Sequence, residues 1–237
     1  MVPFPYRVGP EQRSSRPEYA HTPVPLVDLR PPDPTRIDLE VAATEGEHDQ
    51  VDAACRTVEG VELVSERLVL RPASESDLDF YFEMRNRPEL LARSDHEPKP
   101  RSLVERQLQG WMDRWQEHGF GTWTVFARQS DERQGRVELD PMGAGWEGIL
   151  PGETELGLIV HPTHWNQGIA TEAAGLVAVD CFTRAGLSRL IALTTPDNKA
   201  SLRTLEKLGM RHRGQTQHVS DPTTYEVFEL TRPAPRP

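Results

Sequence analysis

Cysteine is scarce: the 237 residues hold two, Cys55 and Cys181. Two such distant cysteines exclude a disulfide framework of the kind that staples small secreted domains, and they point to a reducing, cytoplasmic setting. Long hydrophobic runs are missing too, since no stretch approaches the roughly 20 apolar residues needed to span a bilayer. The start of the chain, interrupted by Pro3, Pro5 and Pro10, lacks the apolar segment of a secretory signal. Basic residues are in deficit, with 27 Lys and Arg against 37 Asp and Glu, a formal net charge of −10. Nucleic acid and anionic membranes both reward clustered Lys and Arg, so neither is expected as the main partner; a basic or amine-bearing substrate fits the charge better.

Apolar residues make up only 36% of the chain, which implies that part of it contributes nothing to a core. Residues 1–60 are that part. They are rich in proline, then in acid (Glu45, Glu47, Asp49, Asp52), and show no sustained apolar period. Proline removes backbone donors, and an acidic run cannot bury enough apolar surface to offset an ordering cost of roughly 1–2 kcal/mol per residue. The expectation is a mostly disordered extension over 1–60, with a short strand at 24–29 as the alternative, and a disordered tail over 233–237.

Periodic sequence begins at Val61. Residues 67–73 read as a strand, and Ser74 and Asp77 stand at capping-box spacing before a helix through Met84 that Pro88 bounds. Ser102 and Glu105 repeat that spacing ahead of a second helix, whose Val104, Leu108, Trp111, Met112 and Trp115 share one face and which Gly119 stops. These tryptophans are expected in the core rather than against a cofactor. Residues 122–128 and 154–160 read as strands, whereas the Gly-rich interval 135–152 between them shows no clear pattern. An Ala-rich helix from about Gly168 to Gly186, a buried-type strand over 189–195, a helix over 198–208 closed by Gly209, and strands near 211–217 and 224–230 complete the chain. That order predicts an α/β domain on a mixed sheet, not a regular doubly wound fold.

The segment that carries chemistry is 161–173 (HPTHWNQGIATEA), set between a strand ending at Val160 and the Ala-rich helix. A small-residue turn opening a helix exposes unpaired N–H groups at the positive end of the helix dipole, which suits a pyrophosphate. Gly168 and Ala170 allow a phosphate close to the main chain; an ordinary strand-to-helix turn with small residues for packing is the alternative. Nucleoside-triphosphate and dinucleotide loops fit worse, because the Lys-Ser/Thr ending of the one and the spaced glycines of the other are missing.

In these residues the sequence resembles the GNAT superfamily of N-acetyltransferases, and within it the ribosomal-protein N-terminal acetyltransferase-like branch. The family's cofactor loop, Gln/Arg-x-x-Gly-x-Gly/Ala, is matched by Trp165, Asn166, Gln167, Gly168, Ile169 and Ala170. Trp165 stands where many members carry Gln or Arg, and Asn166 where the branch often has Gly. Thr171, Glu172 and Ala173 look like the branch's helix opening, Asn198 and Ser201 like its Asn-x-x-Ser, and residues 205–210 like its Leu-x-Lys-x-Gly-Phe ending. The resemblance spans 61–232.

It implies a mostly antiparallel mixed sheet with one splayed parallel strand pair and flanking helices, and acetyl-CoA as acyl donor with no metal. The cofactor would be held by the Val160 backbone, by Trp165, Asn166, Gln167, Gly168, Ile169, Ala170 and Thr171, and by Asn198 and Ser201. Acetyl would pass directly to a primary amine, a protein N-terminus or a small amine, in a monomer or homodimer. Glu155 would be the base that deprotonates the amine, or else would only orient a water or pair with an arginine. Ser201 could donate a proton to the leaving thiolate, or simply bond backbone or cofactor. His161, His164 and His218 read as solvated or capping rather than catalytic or metal-binding, and Cys181 as a core residue. A non-catalytic acyl-CoA-binding sensor, with the acidic extension as contact segment, is the competing function.

Overall fold

A computed structural model of the chain describes residues 61–93 and 97–233. The expectations for 1–60 and 234–237 lie outside the described residues. The chain runs β1 (Leu63–Val64), β2 (Leu68–Pro72), a 3-10 turn (Glu75–Asp77), α1 (Leu78–Arg85), α2 (Pro88–Leu91), α3 (Arg101–His118), β3 (Thr122–Ala127) and β4 (Arg133–Pro141). Then follow β5 (Thr154–Val160), a second 3-10 turn (Pro162–His164), α4 (Ile169–Thr183), β6 (Arg189–Thr194), α5 (Lys199–Lys207), β7 (Arg211–His218) and β8 (Asp221–Thr231).

Local chemistry explains most of these boundaries and corrects three expectations. The Ser74 N–H donates to Asp77 Oδ2 at 3.0 Å, so the first capping box forms. Asp rather than Glu stands there because the same carboxylate, 1% exposed, also accepts from Thr124 Oγ1 (2.8 Å) and Arg133 Nε (2.7 Å). Pro88 does more than bound α1: it opens α2 from the first helical turn, where its missing N–H costs nothing. The Ser102–Glu105 box is not used, since α3 begins at Arg101 with Pro100 as its N-cap. Gly119 ends α3 in the left-handed conformation, φ 71°.

The third correction concerns 135–152. Nine residues, Arg133–Pro141, form a central strand. The period-2 alternation is present but short, since only Val137 and Leu139 are large and apolar in this strand; its polar face (Arg136, Glu138, Asp140) packs beneath α3.

The eight strands lie in the order β1-β2-β3-β4-β5-β6-β8-β7. Every neighbouring pair is antiparallel except β5 and β6, which are parallel and register at one position, Glu155 opposite Ile191. Beyond it the two strands diverge. One face of the sheet packs Val137, Leu139 and Leu156 against Ala173, Ala174, Val177 and Cys181 of α4. On the other face Tyr81 and Met84 of α1 and Val104, Leu108 and Trp111 of α3 close over Ile159. Each such buried Leu or Val contributes roughly 1.5–3 kcal/mol, so the two layers hold β5 rigidly at the centre.

Candidate active site

Where β5 and β6 part, a cleft of about 900 Å³ opens, lined from both faces of the sheet. The His161 N–H bonds the Gln134 carbonyl at 2.8 Å, which fixes the phase of the β4–β5 ladder. Glu155, Gly157 and Ile159 therefore direct their backbone groups to β4, and Leu158 and Val160 direct theirs into the divergence. The Val160 carbonyl is occupied there by the Trp165 indole N–H at 2.7 Å, leaving Val160 its N–H to offer.

The turn into α4 is built from two left-handed residues, Asn166 (φ 61°) and Gly168 (φ 80°). Asn tolerates that region, and glycine adopts it freely. The Glu172 N–H is the first to reach a helical carbonyl, that of Gly168, at 3.1 Å, so the N–H groups of Ile169, Ala170 and Thr171 have no helical partner. These residues line the cleft, as do Trp165, Asn166 and Gly168. A Cβ on Gly168 would have Arg67 Nη2 as its nearest neighbour, at 3.5 Å. Arg67 in turn donates to the Gln167 carbonyl (3.0 Å) and to Glu172 (2.8 Å), while Ser65 Oγ donates to the same Glu172 carboxylate at 2.6 Å. The β1–β2 connection thus clamps the turn. Gln167 does not face the cleft; its side chain donates to the Thr163 carbonyl at 3.2 Å. Trp165 carries the Arg93 guanidinium 4.6 Å from its ring centre.

Across the cleft, Asn198 caps α5, its Oδ1 accepting the Ser201 N–H at 3.2 Å, and both residues lie on the lining. Glu155 sits at the floor, 5% exposed. Burial pushes its carboxyl well above the usual range, the charges of Glu138 and Asp140 push it further, and a hydrogen bond from the Leu193 backbone and the charge of Arg136 oppose them.

Sequence reasoning passed over Glu155's neighbours. Asp140 lies directly opposite it in the β4–β5 register and is held by Arg114 of α3 at 2.9 Å. Glu138 pairs with Arg136, whose guanidinium stacks 4.6 Å over Trp111. Tyr225 of β8 and Trp146, with rings 5.5 Å apart, complete the wall. In β4, Arg136, Glu138 and Asp140 alternate with Val137 and Leu139, a pattern that marks a strand with one polar face but not what covers that face.

The histidines divide as follows. His161, 7% exposed, is tied through Nδ1 to Thr163 Oγ1 (2.7 Å) and through Nε2 to Arg87 (3.2 Å), and it does not line the cleft. His164 lines it and faces Glu132 at 3.4 Å. His218 lies in the β7–β8 hairpin against Ser220. Cys181 is buried, and desolvation pushes its thiol up to about 12, which suits a core residue. Among the described residues there is no group of three side chains able to hold a metal ion, and no helix is long and apolar enough to cross a membrane.

The arrangement joins a helix start with unpaired N–H groups, a strand divergence into which Val160 offers its N–H, and a buried carboxylate within one cleft. Comparison with known proteins gives it a context. The acetyltransferase (GNAT) domain family matches residues 67–211. An uncharacterised N-acetyltransferase of Bacillus subtilis, YoaA, is 25% identical over 177 residues, covering 72% of this chain and 97% of that protein. Among solved structures, a GnaT-family acetyltransferase from Bordetella pertussis superimposes with a TM-score of 0.62 at 26% identity, over 71% of this chain and 98% of that one. A ribosomal-protein-S5-alanine acetyltransferase from Vibrio fischeri shares the fold with a TM-score of 0.59 at 18% identity, over 75% of this chain and all of its own. The chain belongs to the GNAT acetyltransferase family and is an acyltransferase that uses acetyl-CoA.

Proposed function

We propose that the chain transfers acetyl from acetyl-CoA directly to a primary amine, with both substrates bound together in the cleft. The observation that carries this reading is the placement of the unpaired N–H groups of Ile169, Ala170 and Thr171 and the buried Glu155 carboxylate on one continuous cleft at the β5–β6 divergence. The turn from Trp165 to Thr171 grips the diphosphate through its main chain. The N–H of Val160 and the open backbone of Leu158 hold the pantetheine arm, and Asn198 fixes the start of α5 beside it.

The chemistry then follows. An alkylammonium has no lone pair, so one proton passes from it to the Glu155 carboxylate. The freed amine attacks the thioester carbonyl carbon, and the tetrahedral adduct collapses with cleavage of the C–S bond. The second nitrogen proton ends on the departing sulfur, with Ser201 in place to relay it. Holding both reactants in line replaces a bimolecular encounter at an effective concentration of ~10⁵ M or more, and a positioned base adds roughly 10²–10⁴-fold. The fold of the Vibrio fischeri enzyme supports assignment to the ribosomal-protein acetyltransferase-like branch, acting in the cytoplasm on a protein N-terminal amine or a small amine.

Release of free CoA thiol, followed across a panel of peptides and small amines, tests the reading. Turnover on at least one class is expected. Tight acetyl-CoA binding with no amine consumed would instead establish a non-catalytic sensor.

A further inference from the structure

Five charged side chains face one another on the α3 side of the sheet: Arg136, Glu138 and Asp140 from β4, Glu155 from β5 and Arg114 from α3. Asp140 and Glu155 are direct cross-strand partners, so their side chains leave the same face. Glu138, two residues along β4, projects over Gly157. A Cβ there would stand 2.7 Å from Glu138 Oε1, so the missing side chain is what admits this carboxylate beside Glu155. Each of these two acids has its own guanidinium, Arg136 for Glu138 and Arg114 for Asp140, while Glu155 has neither. Facing it besides these are the Leu193 N–H from β6 and the Tyr225 phenol from β8, whose hydroxyl is engaged with Asp221 at 3.0 Å.

We propose that Glu138 and Asp140 are positioning residues for Glu155: held in place by Arg136 and Arg114, they set two carboxylates beside it and make it a stronger proton acceptor toward the substrate ammonium. This rests on Glu155 being the base. Arg136 offsets part of this effect on Glu155, and Arg114 offsets part of it on Asp140. Burial and like charge raise Glu155 together, whereas Asp140, also raised by burial, is drawn back by Arg114. A carboxyl brought nearer to the proton affinity of an amine accepts the proton at a smaller energetic penalty.

The test is the pH dependence of kcat/KM for the full chain and for Glu138→Gln, Asp140→Asn, Arg114→Gln, Arg114→Lys and Glu155→Gln. Either neutral amide should move the acid limb to lower pH by about one unit, the size expected for removing a like charge nearby. Arg114→Gln, which leaves Asp140 unbalanced, should move it to higher pH, and Arg114→Lys should return it toward wild type. Loss of a merely structural contact would depress the whole profile without displacing the limb. If Arg114→Gln does not fold, the two near-isosteric amides carry the test alone. Unmoved limbs in both, with Glu155→Gln reduced roughly 10²-fold or more, would overturn the positioning role and leave the base intact. Wild-type turnover in Glu155→Gln would remove the base itself.

Discussion

At the residue scale, the buried carboxyl at the floor of the cleft costs the fold stability. Glu155 is a carboxyl whose proton affinity in the folded chain lies above its ordinary value of 4.5. The folded state therefore holds its proton more tightly than the unfolded chain, and stability falls as pH rises from that ordinary value through the raised one. Glu155→Gln, near-isosteric and never ionised, should unfold at a higher temperature than wild type at neutral pH, and the difference should shrink as pH falls toward 4.5; differential scanning calorimetry across that range decides it. A variant less stable than wild type at every pH would mean that the carboxylate is stabilising. Gly157 makes a second case: Gly157→Val should displace the Glu138 carboxylate, lowering kcat/KM with little change in acetyl-CoA affinity, because the new side chain enters the α3 face and not the α4 turn. Of these residues, Glu155 was legible by resemblance. Asp140, Glu138 and Arg114 were not, since a charged side chain beneath a helix looks the same in sequence as one in water.

At the scale of elements, the strand-to-helix turn into α4 was read with its residues in place, but the reason it holds its shape was not. Two side-chain contacts pin it: the Trp165 indole on the Val160 carbonyl and the Arg67 bridge to Gln167 and Glu172. Arg67 comes from the β1–β2 connection about a hundred residues earlier, and no local pattern can announce so distant a partner. Trp165→Phe keeps the ring and deletes the donor. It should weaken acetyl-CoA binding several-fold by freeing the turn, at a stability cost of about 1 kcal/mol for one lost hydrogen bond, both measurable by titration calorimetry and denaturant unfolding. Unchanged affinity would reduce the indole contact to packing. Among the described residues, four of the five α-helices and six of the eight strands were otherwise foreseen wholly or in part where apolar period and glycine stops agreed. β4 was obscured by its charged face, and β1 is only two residues long.

At the scale of the whole molecule, net charge was a poor guide to the cleft. The chain carries −10, yet eight Lys and Arg side chains line the cleft against Glu138, Asp140 and Glu155. The site concentrates positive charge inside an acidic protein, as a multiply anionic cofactor requires. The KM for acetyl-CoA should consequently rise several-fold from low to high salt, with kcat nearly constant; a salt-independent KM would show that these cations do not face the phosphates. The strand order places β8 between β6 and β7, a long-range outcome that residue patterns do not encode.

The central claim is that the main chain between Val160 and α4 grips the diphosphate of coenzyme A. Its most direct measurement is the acetyl-CoA affinity, by titration calorimetry, of Gly168→Glu beside Gly168→Ala. Both carry the same left-handed strain of roughly 1–2 kcal/mol, and only one adds a carboxylate where the phosphates belong. Gly168→Ala should bind within about tenfold of wild type, and Gly168→Glu should show no detectable binding while still unfolding cooperatively. Equal affinity in the two variants would contradict it.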